Sequence, residues 1–201
     1  MSKLMMEMRR SMRLASCIAV WTLATFGVSG IAEARALKAN IGLGYENTQF
    51  ESNLTATGPH ASAGLDFFFP GPTPGLFFGV GPTIDYSDVT GTKDKEKFGL
   101  SETTVGLDGT LAVRLSHGFA ITTGLAFQKG ISGKITLGAK SFEVSDFQRI
   151  CHPWNAVFAV GSDSSLGFGA TWCTAKFGVN TEDVSGASQG VMFGGVFSRR
   201  I

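Results

Sequence analysis

Past Ile31 the chain has no apolar run of about 18 residues, so nothing downstream can cross a bilayer as a helix. Charge is scarce: Lys, Arg, Asp and Glu make up 16% of the 201 residues, against roughly 25% in ordinary soluble domains. The 17 basic and 16 acidic residues nearly cancel, and there is no basic stripe of the kind that phosphate backbones require, which excludes nucleic acid as a partner. Catalytic signatures are missing too. No GxSxG nucleophile elbow occurs. Gly42-Leu43-Gly44, Gly79-Val80-Gly81 and Gly167-Phe168-Gly169 each lack the third glycine of a dinucleotide fingerprint and precede no helix; close backbone approach in a sheet explains them better. The three histidines are His60, His117 and His152. Ser116-His117 falls in a turn, where polar residues are ordinary, and a Ser–His–acid triad, being spatial, stays open at this point.

What is abundant is Gly, 27 residues against an average of roughly 7%, together with 17 Phe. Gly weakens helices, so this mixture suits sheets.

The N-terminus reads as a signal peptide over residues 1–34. Lys3, Arg9, Arg10 and Arg13 form a positive start, an apolar run follows from Leu14 to Ile31, and Ala32-Glu33-Ala34 is a small-x-small cleavage site. A membrane anchor helix is disfavoured because the run is short and Gly27 and Gly30 interrupt it. Leu14-Ala15-Ser16-Cys17 has the look of a lipoprotein box but stands at the wrong end of the run. Cleavage after Ala34 removes four basic residues and two acidic ones (Glu7 and Glu33), leaving 13 basic and 14 acidic residues and a net charge of −1.

Residues 35–201 alternate with period two, the mark of a sheet with two unlike faces. Leu37, Ala39, Ile41, Leu43 and Tyr45 share one face, with Lys38, Asn40, Gly42 and Gly44 on the other. The pattern repeats over 61–69, 76–86, 102–115 and 119–128, and three further strands are expected near 152–160, 165–178 and 189–199. Pro82 is awkward within the third strand, because it cannot donate to a ladder. The connections run long (Glu46–Pro59), short (70–75), long and charged (Lys93–Lys97), short (116–118), long (Lys129–Arg149), short (162–163) and long (180–188). Membrane barrels carry long loops at one end and tight turns at the other.

Two features turn the apolar face outward. Aromatics collect in two girdles, Tyr45, Tyr86, Phe127, Trp154 and Trp172 toward the long-loop end, and Phe67, Phe69, Phe78, Phe119 and Phe197 toward the short-turn end. The opposite face is small and polar, with Asp66, Asp85, Glu102, Asp108 and Arg114 able to pair inside a narrow barrel. A soluble lipid-binding barrel would alternate as well, with its apolar face inward.

Cys151 and Cys173 remain after cleavage, and an even count in an exported chain suggests a disulfide. A hairpin centred on Ser162 puts Cys151 opposite Cys173 while Trp154 faces Ala170, Ala156 faces Phe168 and Phe158 faces Leu166. A metal site with His152 would have only three ligands and no CxxC spacing.

The signal peptide, the eight alternating segments and the aromatic strand ends together resemble the small outer-membrane β-barrel superfamily of OmpA-like, OmpX-like and opacity-type surface proteins. The resemblance is one of pattern over residues 35–201. Members typically end in an aromatic residue, whereas this chain closes Ser198-Arg199-Arg200-Ile201 after Phe197. The expectation is an all-β, eight-stranded antiparallel up-and-down transmembrane barrel in the bacterial outer membrane. It has no cofactor and no metal, displays four mobile extracellular loops, and serves adhesion, surface contact or envelope integrity rather than wide-pore transport. Partners implied are outer-membrane lipid, the barrel assembly machinery and host or neighbouring-cell surface molecules. Two alternatives stand beside it: a lipid A-modifying barrel enzyme, for which no His-x-Ser-Asn motif is found, and a carrier of small hydrophobic molecules with a lateral opening at Pro82.

Overall fold

The computed structural model describes residues 36–50, 54–93, 96–179 and 184–201; the signal-peptide segment lies outside the described residues. Eight strands follow in chain order: β1 (Ala36–Phe50), β2 (Thr55–Pro70), β3 (Leu76–Lys93), β4 (Glu96–Ser116), β5 (Phe119–Leu137), β6 (Lys140–Ala159), β7 (Ser164–Val179) and β8 (Val184–Arg200). Each pairs antiparallel with the next, and β1 pairs with β8 to close the barrel.

Closure leaves no free edge, so every strand finds backbone partners on both sides. Side-chain parity holds along β1 to β4 and is reversed at a bulge in β5 and in β6. Gly42, Glu46, Thr48 and Phe50 are buried inside on β1, while Ile41, Leu43, Tyr45, Asn47 and Gln49 are exposed outside. Strand β6 faces β7 with Cys151 opposite Cys173, Trp154 opposite Ala170, Ala156 opposite Phe168 and Phe158 opposite Leu166, the register expected from the hairpin centre.

The short connections fall where turn chemistry puts them. Gly75 adopts φ 87° before β3, a left-handed conformation that favours glycine, and Leu76 N–H donates to the Thr73 carbonyl at 3.0 Å.

The long connections are different from expectation. The Glu46–Pro59 and Lys129–Arg149 stretches are not loops. Strand β1 runs on to Phe50 and β2 begins at Thr55; β5 runs to Leu137 and β6 begins at Lys140, with Gly138 (φ 58°) at the tip. Strand β6 therefore starts well before residue 152, β3 and β4 reach Lys93 and Glu96, and β8 begins at Val184 rather than near 189. A membrane strand needs roughly 9–11 residues. Strand β4 has 21 and β6 has 20, so the hairpins continue far past that length. The physical reason is an inversion of pattern. Above the girdle the outward positions turn polar and the inward ones apolar, which in sequence looks like a polar loop.

Pro82 sits within β3, exposed outside and opposite Leu107 of β4. On the β2 side, regular pairing skips from Gly64–Thr83 to Phe67–Val80. The wall stays shut there all the same. Gly81 has no side chain, and the Leu65 carbonyl oxygen occupies the space a Cβ would need. The lateral opening expected of a carrier is therefore not formed at Pro82.

Candidate functional site

The interior has three zones from the short-turn end upward. Lowest is a cavity of about 190 Å³ inside the barrel, reached past Lys38, Phe68 and Ser198 and lined higher up by His60, Asp85, Asp108 and Gln128. Several of its polar groups satisfy one another, while Thr123 Oγ1 is buried without a hydrogen-bond partner. Asn40 Nδ2 donates to Asp66 at 2.5 Å, Gln128 Nε2 donates to Asp85 at 2.6 Å, and Thr83 Oγ1 donates to the same carboxylate at 3.1 Å. His60 Nε2 lies 3.0 Å from Asp85 Oδ1.

Next comes a charged clasp. Arg149 Nη2 lies 3.0 Å from Glu102 and 3.4 Å from Glu46, and the three side chains are almost wholly buried. Ser87 and Thr48 hydroxyls each donate to Glu46 at 2.5 Å. Removing Arg149 would strand two buried carboxylates, the costly case for such a network. Glu102 Oε2 and Arg149 Nη1 have no hydrogen-bond partner in the structure. The Cys151–Cys173 disulfide bridges β6 and β7 on the inner wall at this level, buried with Ala126 and Met192.

Above the clasp the lumen is filled by hydrocarbon. Phe50, Leu54, Ala56, Val89, Phe98, Leu100, Ile135, Phe147, Ala175 and Phe177 form one buried cluster. Phe50 and Phe98 meet edge to face with centroids 4.8 Å apart, and Phe147 stacks on Phe177 at 6.2 Å. The space left between clasp and cluster is about 10 Å³, about the least that holds one water. The interior is thus a blind chamber, closed on the side of the long hairpins.

The outer wall is the reverse. Ile41, Leu43, Leu107, Leu125, Phe168, Trp172 and Phe193 are all exposed, and the ten predicted girdle aromatics take the outward parity. Trp154 stands closer to the short-turn end than its four companions, opposite Thr123 and Ala170. Phe67, Phe69 and Phe119 are half-buried against neighbours, Phe119 with its ring 5.0 Å from Phe158.

Of the predicted interior charges, Asp66, Asp85 and Glu102 are buried and Asp108 lines the chamber. Arg114 departs from the expectation: it keeps the inward parity but lies exposed at the mouth, its guanidinium 4.9 Å over the Phe77 ring. At the end of a strand the side chain reaches water without desolvation. Sequence reasoning missed Glu46, Arg149, His60 and Gln128. Glu46 shares parity with Gly42 and Gly44, and Arg149 with Cys151, so the signal was present, but both lay in stretches read as loops.

No protein-family model matches the chain, and no curated protein sequence matches it. Solved structures do. Neisserial surface protein A superposes with a TM-score of 0.56 at 14% identity, over 82% of this chain and 97% of that one. The fold is that of a small outer-membrane β-barrel. Other outer-membrane barrels resemble it more distantly: the attachment invasion locus protein Ail of Yersinia pestis (TM-score 0.42, 10% identity, 80% of this chain and 97% of that one) and the outer membrane protease OmpT of Escherichia coli (0.47, 8%, 84% and 97%).

Proposed function

We propose that the chain is exported, loses residues 1–34, and resides in the outer membrane as a non-conducting, non-enzymatic barrel whose rigid hairpin end makes contacts outside the cell. The observation that carries this reading is the closed interior. Among the described residues a charged clasp and an apolar cluster fill the lumen above the chamber, with a space of about 10 Å³ between them. The apolar outer wall with its aromatic strand positions supports placement in a bilayer. Delivery by the barrel assembly machinery follows from that placement, although Ile201 rather than an aromatic ends the chain. His60 is held by Asp85 within the polar chamber, away from the lipid face, which weighs against lipid-modifying chemistry. Contact with host or neighbouring-cell molecules would fall to the hairpin end, since among the described residues the connections at the other end are tight turns.

The test is fractionation of expressing cells, a gel with and without boiling, and planar-bilayer recording. The reading requires an outer-membrane band that shifts on boiling and no open-channel current. A soluble periplasmic band, or steady conductance through the wild-type barrel, would sink it.

A further inference from the structure

The blind chamber has an order of charge along its length that the barrel itself does not use up. Its mouth lies at the short-turn end, where Lys38, Arg114 and Arg200 stand on the inward parity. Lys38 faces Arg200 across the β1–β8 seam and Asp66 across the β1–β2 seam. It also lies within electrostatic reach of Arg114. Aromatic rings carry two of these cations: Lys38 Nζ is 5.3 Å from the Phe68 centroid, and the Arg114 guanidinium is 4.9 Å from that of Phe77. The carboxylates at this end are Asp66, which accepts from Asn40, and Asp163 in the exposed β6–β7 turn, which accepts from Ser162. Deeper in, the sign reverses. Gly81 pairs with Asp108 and abuts Asp66 on its other side, so no side chain stands between those two residues. Asp85 is met by His60, Gln128 and Thr83. Asp108 makes no hydrogen bond or ion pair among the described residues.

We propose that the chamber binds the end of a peptide, a terminal residue whose side-chain ammonium reaches Asp108 and whose free α-carboxylate rests between Lys38 and Arg114. A chamber of about 190 Å³ takes one long side chain and not a folded segment. It is closed above by the clasp and the apolar cluster, so a ligand enters and leaves by one opening and must present an end. Thr110, Thr122 and Asn155 line the wall and offer hydrogen bonds to the ammonium and the peptide group. A carboxylate without a partner in a narrow interior is costly, and an arriving ammonium removes that cost. A peptide end fits better than a free amino acid, whose α-ammonium would fall among the cations at the mouth. Binding rests on the closed barrel alone; that the mouth faces the periplasm rests on the placement proposed above.

The test is isothermal titration calorimetry on the full mature barrel in detergent micelles, with the heat-shifted band checked on every sample. Nα-acetyl-lysine carries both charges, Nα-acetyl-norleucine lacks the ammonium, and Nα-acetyl-lysine amide lacks the carboxylate. The first should bind about tenfold more tightly than either of the others, the factor that one hydrogen bond to a charged group supports. Asp108→Asn should weaken Nα-acetyl-lysine about tenfold and leave Nα-acetyl-norleucine unchanged. Lys38→Gln combined with Arg114→Gln should weaken Nα-acetyl-lysine to the same degree and leave the amide unchanged. Such crossed losses belong to charge recognition, whereas a damaged barrel would lose all three ligands together. Lysine with its α-amine free should bind more weakly than Nα-acetyl-lysine, and tighter binding overturns the peptide end. No binding of Nα-acetyl-lysine at about 10 mM to a barrel that heat-shifts, or equal binding of the amide, overturns the proposal. A wild-type barrel without the shift overturns the closed fold and the chamber with it, and the missing shift tells the two failures apart.

Discussion

The lower and upper halves of this barrel use the same eight strands in opposite ways. Along β4, Leu107, Leu111, Val113 and Leu115 face out in the lower half, with Asp108 and Thr110 inside. Further up, Phe98 and Leu100 face in, with Lys97, Ser101 and Thr103 outside. Along β4 the parity never slips; the chemistry assigned to each parity is exchanged at the level of Glu46, Glu102 and Arg149. One backbone thus satisfies two solvents. The lower half needs no core of its own, because lipid covers its apolar wall. The upper half stands in water and is held by burial of hydrocarbon, as a soluble domain is.

That comparison can be broken at its seam first. Arg149→Ala leaves Glu46 and Glu102 buried and unpaired, and should cost about 3–5 kcal/mol in urea unfolding from lipid vesicles. Arg149→Ala combined with Glu46→Gln and Glu102→Gln should recover much of the loss; no recovery would mean the clasp is not held by charge. Phe177→Ala should cost about 3–5 kcal/mol, through a cavity in the upper cluster. Its loss should be read as faster proteolysis of the hairpin end while the belt stays protected, and uniform loss in both halves would refute their separation. Cys151→Ser paired with Cys173→Ser should cost about 3 kcal/mol, since the bridge spans 22 residues. Reductant should lower wild-type stability to the same level. The mildest test is a matched pair of outward lysines: Leu107→Lys in the belt should cost about 2 kcal/mol, and Gln49→Lys in the upper half less than about 0.5. Equal costs would mean the two outer walls meet the same solvent.

The lower half was legible in the sequence because lipid-facing strands print a simple code. Leu43 and Tyr45 alternate with Gly42 and Gly44, and short turns bound the run. The disulfide was legible for the same reason, since one register placed the cysteines and kept apolar residues opposed. The upper half was illegible because its outward face is polar and its inward face is thinly apolar. Asn47 and Gln49 around Thr48 read as loop, and only Phe50 hinted at a core. Glu46 and Arg149 are 103 residues apart in the chain, and nothing local announces that they meet. The bulge in β5 has no sequence mark beyond Gly130 and Gly133, which many strands share.

The exchange of faces also settles how deep the molecule rides. A barrel whose lipid-facing wall simply faded could sink or rise with the bilayer around it. Here the next outward residues beyond Tyr45 and Phe127 are Asn47 and Lys129, which act as a waterline. A thicker membrane must thin to meet that line, because drawing in another turn of strand would drag amide and ammonium groups into oil. On the placement proposed above, the hairpin end stands at a fixed height above the bilayer, whatever lipid surrounds its foot.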